Sequence, residues 1–171
     1  MKSVVIEKAR EEHLASIPGV ELAGSALFSE ADLPPHIRYK VTDKADLREA
    51  LRDNRLWVAL DRQQKIVGYA MADVVDNQAY LTEVDVLPDF GRRGIGTRLV
   101  NAVVEWAGAS EFASLSLVTF RHVPWNAPFY EKLGFSIVES SEYGPELRGF
   151  IEDEGRVGID IANRVAMKLS L

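Results

Sequence analysis

A chain of 171 residues with 47% hydrophobic and 27% charged residues suits one α/β domain spanning 1–171, long enough to bury roughly two thirds of the surface its unfolded form exposes and to hold a cleft. A formal net charge of −6 argues against a general nucleic-acid partner, which needs a basic face for phosphates. The absence of cysteine excludes disulfides, thiolate metal sites and a cysteine nucleophile. The first residues turn charged after three apolar ones, Val4 to Ile6, and no apolar run approaches the roughly 18 residues of a membrane span. The expectation is a cytoplasmic protein with no membrane partner.

In chain order, Val4 to Ile6 reads as a short strand. Arg10 to Phe28 has helical spacing interrupted by Pro18-Gly19, which predicts two short helices, Pro18 opening the second. Ser29 to Lys40, with Asp32, Pro34 and Pro35, reads as a loop, and Thr42 to Asn54 as a helix capped by Thr42 or Asp43. Leu56 to Leu60, Ile66 to Val75 and Tyr80 to Leu87 follow as meander strands, with turns at Gln63-Gln64 and Asn77-Gln78. Ile95 to Ala107 is an amphipathic helix carrying Ile95, Leu99, Val103, Trp106 and Ala107 on one face. Leu115 to Phe120 reads as a strand, Asn126 to Lys132 as a short helix with Asn126 as cap and Gly134 beyond its end, and Phe135 to Val138 as a strand. Pro145 to Glu154 is a further helix, and Arg164 to Leu169 alternates as a half-buried final strand.

The stretch Val84 to Thr97 joins a strand, a turn and a glycine-rich helix start. Backbone N–H groups in the first turn of a helix lack intrahelical partners and sit at the positive end of its dipole, so they suit a phosphate or pyrophosphate. Gly94 and Gly96 let a ligand approach the main chain, and Arg92 and Arg93 add positive charge nearby. A P-loop would need a lysine that is missing here, and a dinucleotide fingerprint would place its third glycine at Leu99. About thirty residues further on comes Pro124-Trp125-Asn126-Ala127-Pro128-Phe129-Tyr130-Glu131-Lys132-Leu133-Gly134-Phe135.

Val86-x-Pro88 followed by Arg92-Arg93-Gly94-Ile95-Gly96 resembles the acetyl-CoA signature of the GNAT superfamily of N-acetyltransferases. Asn126, Phe129-Tyr130 and Gly134-Phe135 resemble the superfamily's second motif, and the two together cover residues 80 to 138. The resemblance implies a central mixed, mostly antiparallel twisted sheet of about seven strands flanked by helices. It implies acetyl-CoA as cosubstrate, held by Val86, Leu87, Arg92, Arg93, Gly94, Ile95, Gly96 and Thr97, with Asn126 contacting the coenzyme. Gly91 stands where the superfamily usually has Gln or Arg, which removes one side chain and keeps the backbone donors.

The reaction so implied needs a base, because an alkyl amine with a pKa of about 10.4 is protonated at neutral pH and has no lone pair for a thioester. Glu83 occupies the position where the superfamily often carries that base, and Asp85 points to the same side of its strand. Two neighbouring carboxylates raise one pKa, although Asp85 also reads as a solvated strand-face acid. The resemblance assigns an oxyanion donor to the main-chain N–H of Val86 or Leu87 and a general acid to Tyr130. The sequence therefore reads as an N-acetyltransferase acting on the primary amine of a small molecule or of a protein N-terminus or lysine, by direct transfer in a ternary complex. The alternative is a non-catalytic acyl-CoA binding or sensing domain, and a homodimer is left open. His13, His36 and His122 form no metal-binding spacing, so no metal is expected. Trp57 and Trp106 read as core, and Trp125 as a residue able to wall the cofactor channel.

Overall fold

The computed structural model describes residues 4–171. Seven strands form a single mixed sheet in the order β1-β2-β3-β4-β5-β7-β6. They are β1 (Val5–Lys8), β2 (Leu56–Leu60), β3 (Ile66–Val75), β4 (Gln78–Val86), β5 (Ser114–Phe120), β6 (Ser136–Val138) and β7 (Arg164–Ser170). Every pairing is antiparallel except that of β4 with β5. The helices are α1 (Ile17–Ser25), α2 (Pro35–Arg38), α3 (Lys44–Arg52), α4 (Ile95–Ala109), α5 (Ala127–Lys132) and α6 (Pro145–Arg156). This is the α/β architecture that the resemblance implied.

One face of the sheet is covered by α4, whose Ile95, Leu99, Val100, Val103 and Ala107 are buried against Ala70, Ala72, Leu115, Val165 and Met167. Burying each of the larger aliphatic side chains contributes about 1.5–3 kcal/mol, so the helical periodicity of this segment decides where it lies. Trp57 is buried and meets Trp106 edge-on at 6.0 Å. On the opposite face α1 and α3 place Ile17, Val20, Leu47 and Ala50 over Leu56, Val58, Leu60, Tyr69 and Met71. Strand β2 is buried on both faces, which is why it reads as an unbroken apolar run.

Strand alternation breaks once in β4. Met71 pairs with Glu83 and Ala72 with Leu81, so Thr82 is an extra residue, a β-bulge. Before it, Ala79 and Leu81 face the α4 side; after it, Val84 and Val86 do, while Glu83 and Asp85 turn towards α1. Beyond the bulge β4 also loses its neighbour. It pairs with β5 only at Ala79–Leu115 and Tyr80–Ser116, and β5 then continues along β7 as far as Phe120. The two parallel strands diverge and leave a cleft that opens towards the end of β4.

Several expectations are corrected. The 29–40 segment is not wholly a loop, since Pro34 and Pro35 open the short helix α2. The hairpin turn lies one residue earlier than read, at Asp76-Asn77, both with positive φ (49° and 58°), the backbone of a two-residue hairpin. The final strand is not half-buried throughout. Lys168 is exposed, but Ala166 is as buried as Val165 and Met167, because β7 runs between β5 and β6 and packs under Tyr80 and Leu147.

The hairpin turn also anchors α6. Asp76 Oδ1 accepts from Glu146 N at 3.0 Å and Oδ2 from Leu147 N at 3.1 Å, while the Glu146 carboxylate accepts from Asp76 N. These bonds satisfy first-turn donors of α6 from 70 residues away in the chain. Asp76→Ala is expected to lower unfolding free energy by about 1–3 kcal/mol, the loss of a cap together with the poorer tolerance of alanine for positive φ, as measured by urea denaturation.

Candidate active site

The cleft begins with backbone geometry. Leu87 N–H donates to Val67 C=O at 2.8 Å, so Leu87 and Val67 form a hydrogen-bonded antiparallel pair and Val86, opposite Gly68, points its N–H away from β3. That direction is the side from which β5 has already departed. Of the two amides offered for the oxyanion, Leu87's is committed to β3, a correction to its assignment, and Val86's is the one that faces the cleft.

From Leu87 the chain makes a single 3-10 turn over Pro88–Phe90 and reaches the N-terminus of α4. Gly94 is the N-cap, with φ +75°, and it has no side chain to satisfy the first-turn donors. The N–H groups of Ile95, Gly96 and Thr97 therefore point out of a 15-residue helix, as an anion site requires. Ile95 is buried in the core, so its part in any ligand contact is its main chain. The Arg93 guanidinium donates to Asp89 C=O at 2.7 Å and lies over the Phe90 ring; Arg92 is exposed, with φ +56°. Gly91 N–H donates to Pro88 C=O, so this amide belongs to the turn.

Asn126 holds the N-cap position of α5, yet its side chain makes no capping bond. Oδ1 instead accepts from Thr119 Oγ1 at 2.6 Å and from Phe120 N at 3.3 Å, both at the end of β5. Its backbone carbonyl receives Phe129 N and Tyr130 N. One buried asparagine thus ties α5 to the diverging strand and sets where Tyr130 points. Tyr130 is half-buried, with its ring edge-on to Phe129 at 5.0 Å and to Phe135 at 5.6 Å. Burial, followed by the nearby Glu83 and Asp85 charges, pushes its phenol well above the ordinary value, so it stays protonated at neutral pH.

Glu83 and Asp85 both lie on the α1 side of β4 and keep part of their surface accessible, although protein packs round their carboxyl groups. Burial first, and then the proximity of Asp85 and Glu21, holds Glu83 well above the usual carboxylate range. Burial and Glu21 raise Asp85 to about 7. Asp85 is thus no solvated strand-face acid. Across the cleft Arg164, at the start of β7, gives Nε and Nη2 to Glu154 at 2.8 and 2.6 Å and covers the Phe120 ring.

The mouth of the cleft is bordered by residues 26–41. The Phe28 ring packs tilted against Phe120 at 5.4 Å and edge-on to Trp125 at 5.7 Å, His122 Nε2 lies 2.8 Å from Asp32 Oδ1, and His36 Nε2 lies 2.7 Å from Val157 O. Trp125 therefore packs with this segment while remaining half exposed. Glu21, Tyr69, Arg164 and Glu154 were missed in the sequence. For Glu21 the signal was a lone acid on the apolar face Ile17, Val20, Gly24 of α1; the others gain meaning only through strand pairing. Among the described residues no group of three or more His, Asp or Glu is placed to hold a metal ion, and no helix is long and apolar enough to cross a membrane.

An open strand edge lies beside a glycine-capped helix N-terminus, with a half-buried phenol and a pair of raised carboxyl groups close by. Residues 24–135 match the acetyltransferase (GNAT) family model, and the chain belongs to that family, whose acyl donor is acetyl-CoA. The fold is similar to that of PaiA N-acetyltransferase from Thermoplasma acidophilum in complex with coenzyme A, at 17% identity, with 99% of each chain covered and a TM-score of 0.70. It is similar also to ribosomal-protein-S18-alanine N-acetyltransferase from Escherichia coli, at 17% identity, 98% of this chain, 94% of that one and a TM-score of 0.67. N-acetylglutamate synthase from Neisseria gonorrhoeae, complexed with coenzyme A and N-acetyl-glutamate, matches at 16% identity over 100% of this chain and 36% of its own, with a TM-score of 0.71.

Gly94 decides the first-turn geometry of α4 through its φ, since a Cβ there would meet nothing within 4 Å. Gly94→Val is expected to weaken acetyl-CoA binding at least tenfold in a calorimetric titration, because a β-branched residue strongly disfavours the left-handed region; unchanged affinity would remove the loop from the coenzyme site.

Proposed function

We propose that residues 1–171 act as one domain that transfers the acetyl group of acetyl-CoA directly to a primary amine, borne by a small molecule or by a protein, in a ternary complex. The observation that carries this reading is the convergence, where β4 leaves β5, of the Val86 amide, the α4 N-terminus, Tyr130 and two carboxylates of raised pKa. A binding or sensing domain needs the loop and the helix but has no use for a base or a protonated phenol beside it, so the carboxylates favour the enzyme.

The residues fit acetyl-CoA through backbone donors. The amides of Ile95, Gly96 and Thr97 would hold its pyrophosphate, with Arg92 and Arg93 adding positive charge. Asn126 would reach the coenzyme through Nδ2, since Oδ1 is spent on β5. When bound, acetyl-CoA supplies a thioester whose carbonyl carbon is the electrophile.

The chain's own groups then handle charge and protons. Glu83 takes one proton from the acceptor ammonium, which frees the nitrogen lone pair; a carboxyl group of raised pKa does this at neutral pH where an ordinary one would be too weak. Val86 N–H donates to the acyl oxygen as negative charge builds there. As the C–N bond forms and the C–S bond breaks, Tyr130 gives its proton to the sulfur and recovers the second proton of the nitrogen. Two protons leave the nitrogen: one ends on sulfur, the other passes from the carboxylate to solvent.

Acetylation of an amine panel, followed by release of the free CoA thiol, tests the function, and no turnover with any amine despite saturable acetyl-CoA binding would favour the sensor. In the active enzyme Tyr130→Phe is expected to lower kcat by about 100-fold with acetyl-CoA affinity unchanged; full activity would remove Tyr130 from the reaction.

A further inference from the structure

Behind the Glu83–Asp85 pair lies a set of groups that the proposed reaction has not yet used. Asp85 is paired across the sheet with Tyr69 and Glu83 with Met71, so all four side chains lie on the α1 face. Tyr69 is fully buried, and its hydroxyl, which faces Glu21, Glu83 and Asp85, makes no hydrogen bond of normal geometry.

Helix α1 lies against this group in a way that only glycine permits. A Cβ on Gly24 would come within 2.2 Å of Asp85 Oδ1. Glu21, one turn earlier on the same helix face, is buried and fixed: Thr42 N donates to both its carboxylate oxygens, at 2.9 and 3.1 Å, and Thr42 Oγ1 donates to Oε1 at 3.1 Å. Burial raises the Glu21 carboxyl above its ordinary value, and the bonds from Thr42, which favour the ionised form, act against that rise. The groups facing the pair are therefore Glu21 from α1, Tyr69 from β3, Tyr80 from β4, Tyr130 from α5, and Arg164 with Glu154 from β7 and α6. Arg164 is the cation in this set, and its bidentate bond to Glu154 neutralises it.

We propose that Glu21 is a positioning residue for proton transfer, a fixed third carboxylate that makes Asp85 and Glu83 share one proton, so that the pair, and not Glu83 alone, is the base. This rests on the reading of Glu83 as the group that receives the acceptor's proton. Two adjacent carboxyl groups that cannot both ionise hold one proton and release it in a step belonging to the pair. Glu21 adds a further like charge from α1, and Tyr69 neighbours Asp85 across the sheet from β3. A pair bearing one proton and one negative charge accepts one proton from an ammonium and returns it to solvent, and no other species is consumed.

The test replaces Glu21 by Gln, which keeps its size and one oxygen for Thr42. The ¹³Cγ titration of Asp85, assigned by its absence in Asp85→Asn, is expected near pH 7 in the native protein and about one pH unit lower in Glu21→Gln, since removing a negative charge favours ionisation. The acidic limb of the kcat/KM profile is expected to move the same way, with KM for acetyl-CoA unchanged. An Asp85 that titrates near 4 in the native protein, or that does not respond to Glu21→Gln, overturns the proposal. Should Glu21→Gln not fold, Asp85→Asn decides. A folded-state pKa above the unfolded value makes the native protein lose stability as pH rises from about 4 through 7, so Asn at this position raises Tm more at pH 8 than at pH 5, and an equal effect at both overturns the proposal. Neither titration nor melting needs an acceptor, so a positive result without amine turnover would sink the enzyme reading and leave the shared proton standing.

Discussion

The site depends on one extra residue in β4. An antiparallel ladder with unbroken alternation would send Glu83 and Asp85 to the same face as Ala79 and Leu81, into the aliphatic core under α4. Two carboxyl groups there would lack any polar partner, and the segment would not fold as it does. The bulge at Thr82 turns them to the α1 face. It also adds local twist, and immediately before it the pairing with β5 ends, after only two residues. The cleft and the carboxylates that line it share this one irregularity, and the Val86 amide can face the opening because the strand that would have taken it has diverged.

Burying acids is expensive, and the fold confines the cost to one place. The carboxyl groups are raised by burial before any neighbouring charge acts, so the native state favours their protonated forms. Around them the hydrogen bonds are complete where geometry matters for the scaffold: Thr42 on Glu21, Glu154 on Arg164, Thr119 and Phe120 on Asn126. Of the buried side-chain atoms without a hydrogen bond of normal geometry among the described residues, the Tyr69 hydroxyl and the Thr82 hydroxyl of the bulge lie at the centre, and Arg38 Nε lies in α2.

How much of this was legible in the sequence follows from which physical signals are local. Strands β2 and β3 and helix α4 were read nearly to their ends, because apolar periodicity and the Gly and Asn turn residues act over a few positions. The helix α2 was not, since Pro34-Pro35 reads equally as loop or as helix start. The buried Ala166 was misjudged because only the strand order, with β7 inside and β6 at the edge, makes both its faces interior. Asn126 was recognised as an N-cap residue, but the bonds that occupy its side chain come from β5, which no spacing within its own helix reveals.

The same distinction separates the two halves of the cleft. The donor side is made almost entirely by one contiguous stretch, from Val84 to Thr97, and mostly by its backbone, so its chemistry is written in glycine positions and in the strand-to-helix transition. The side proposed to face the acceptor is assembled from contacts between distant segments: Glu21 with Thr42, Asp32 with His122, His36 with Val157, Glu154 with Arg164. Most of these residues taken alone are ordinary acids, histidines or arginines, and only the fold makes them part of a wall. A chain can change its acceptor by altering a few such contacts without touching the loop that holds the donor. Proteins with this fold include ones as different as N-acetylglutamate synthase and ribosomal-protein-S18-alanine N-acetyltransferase.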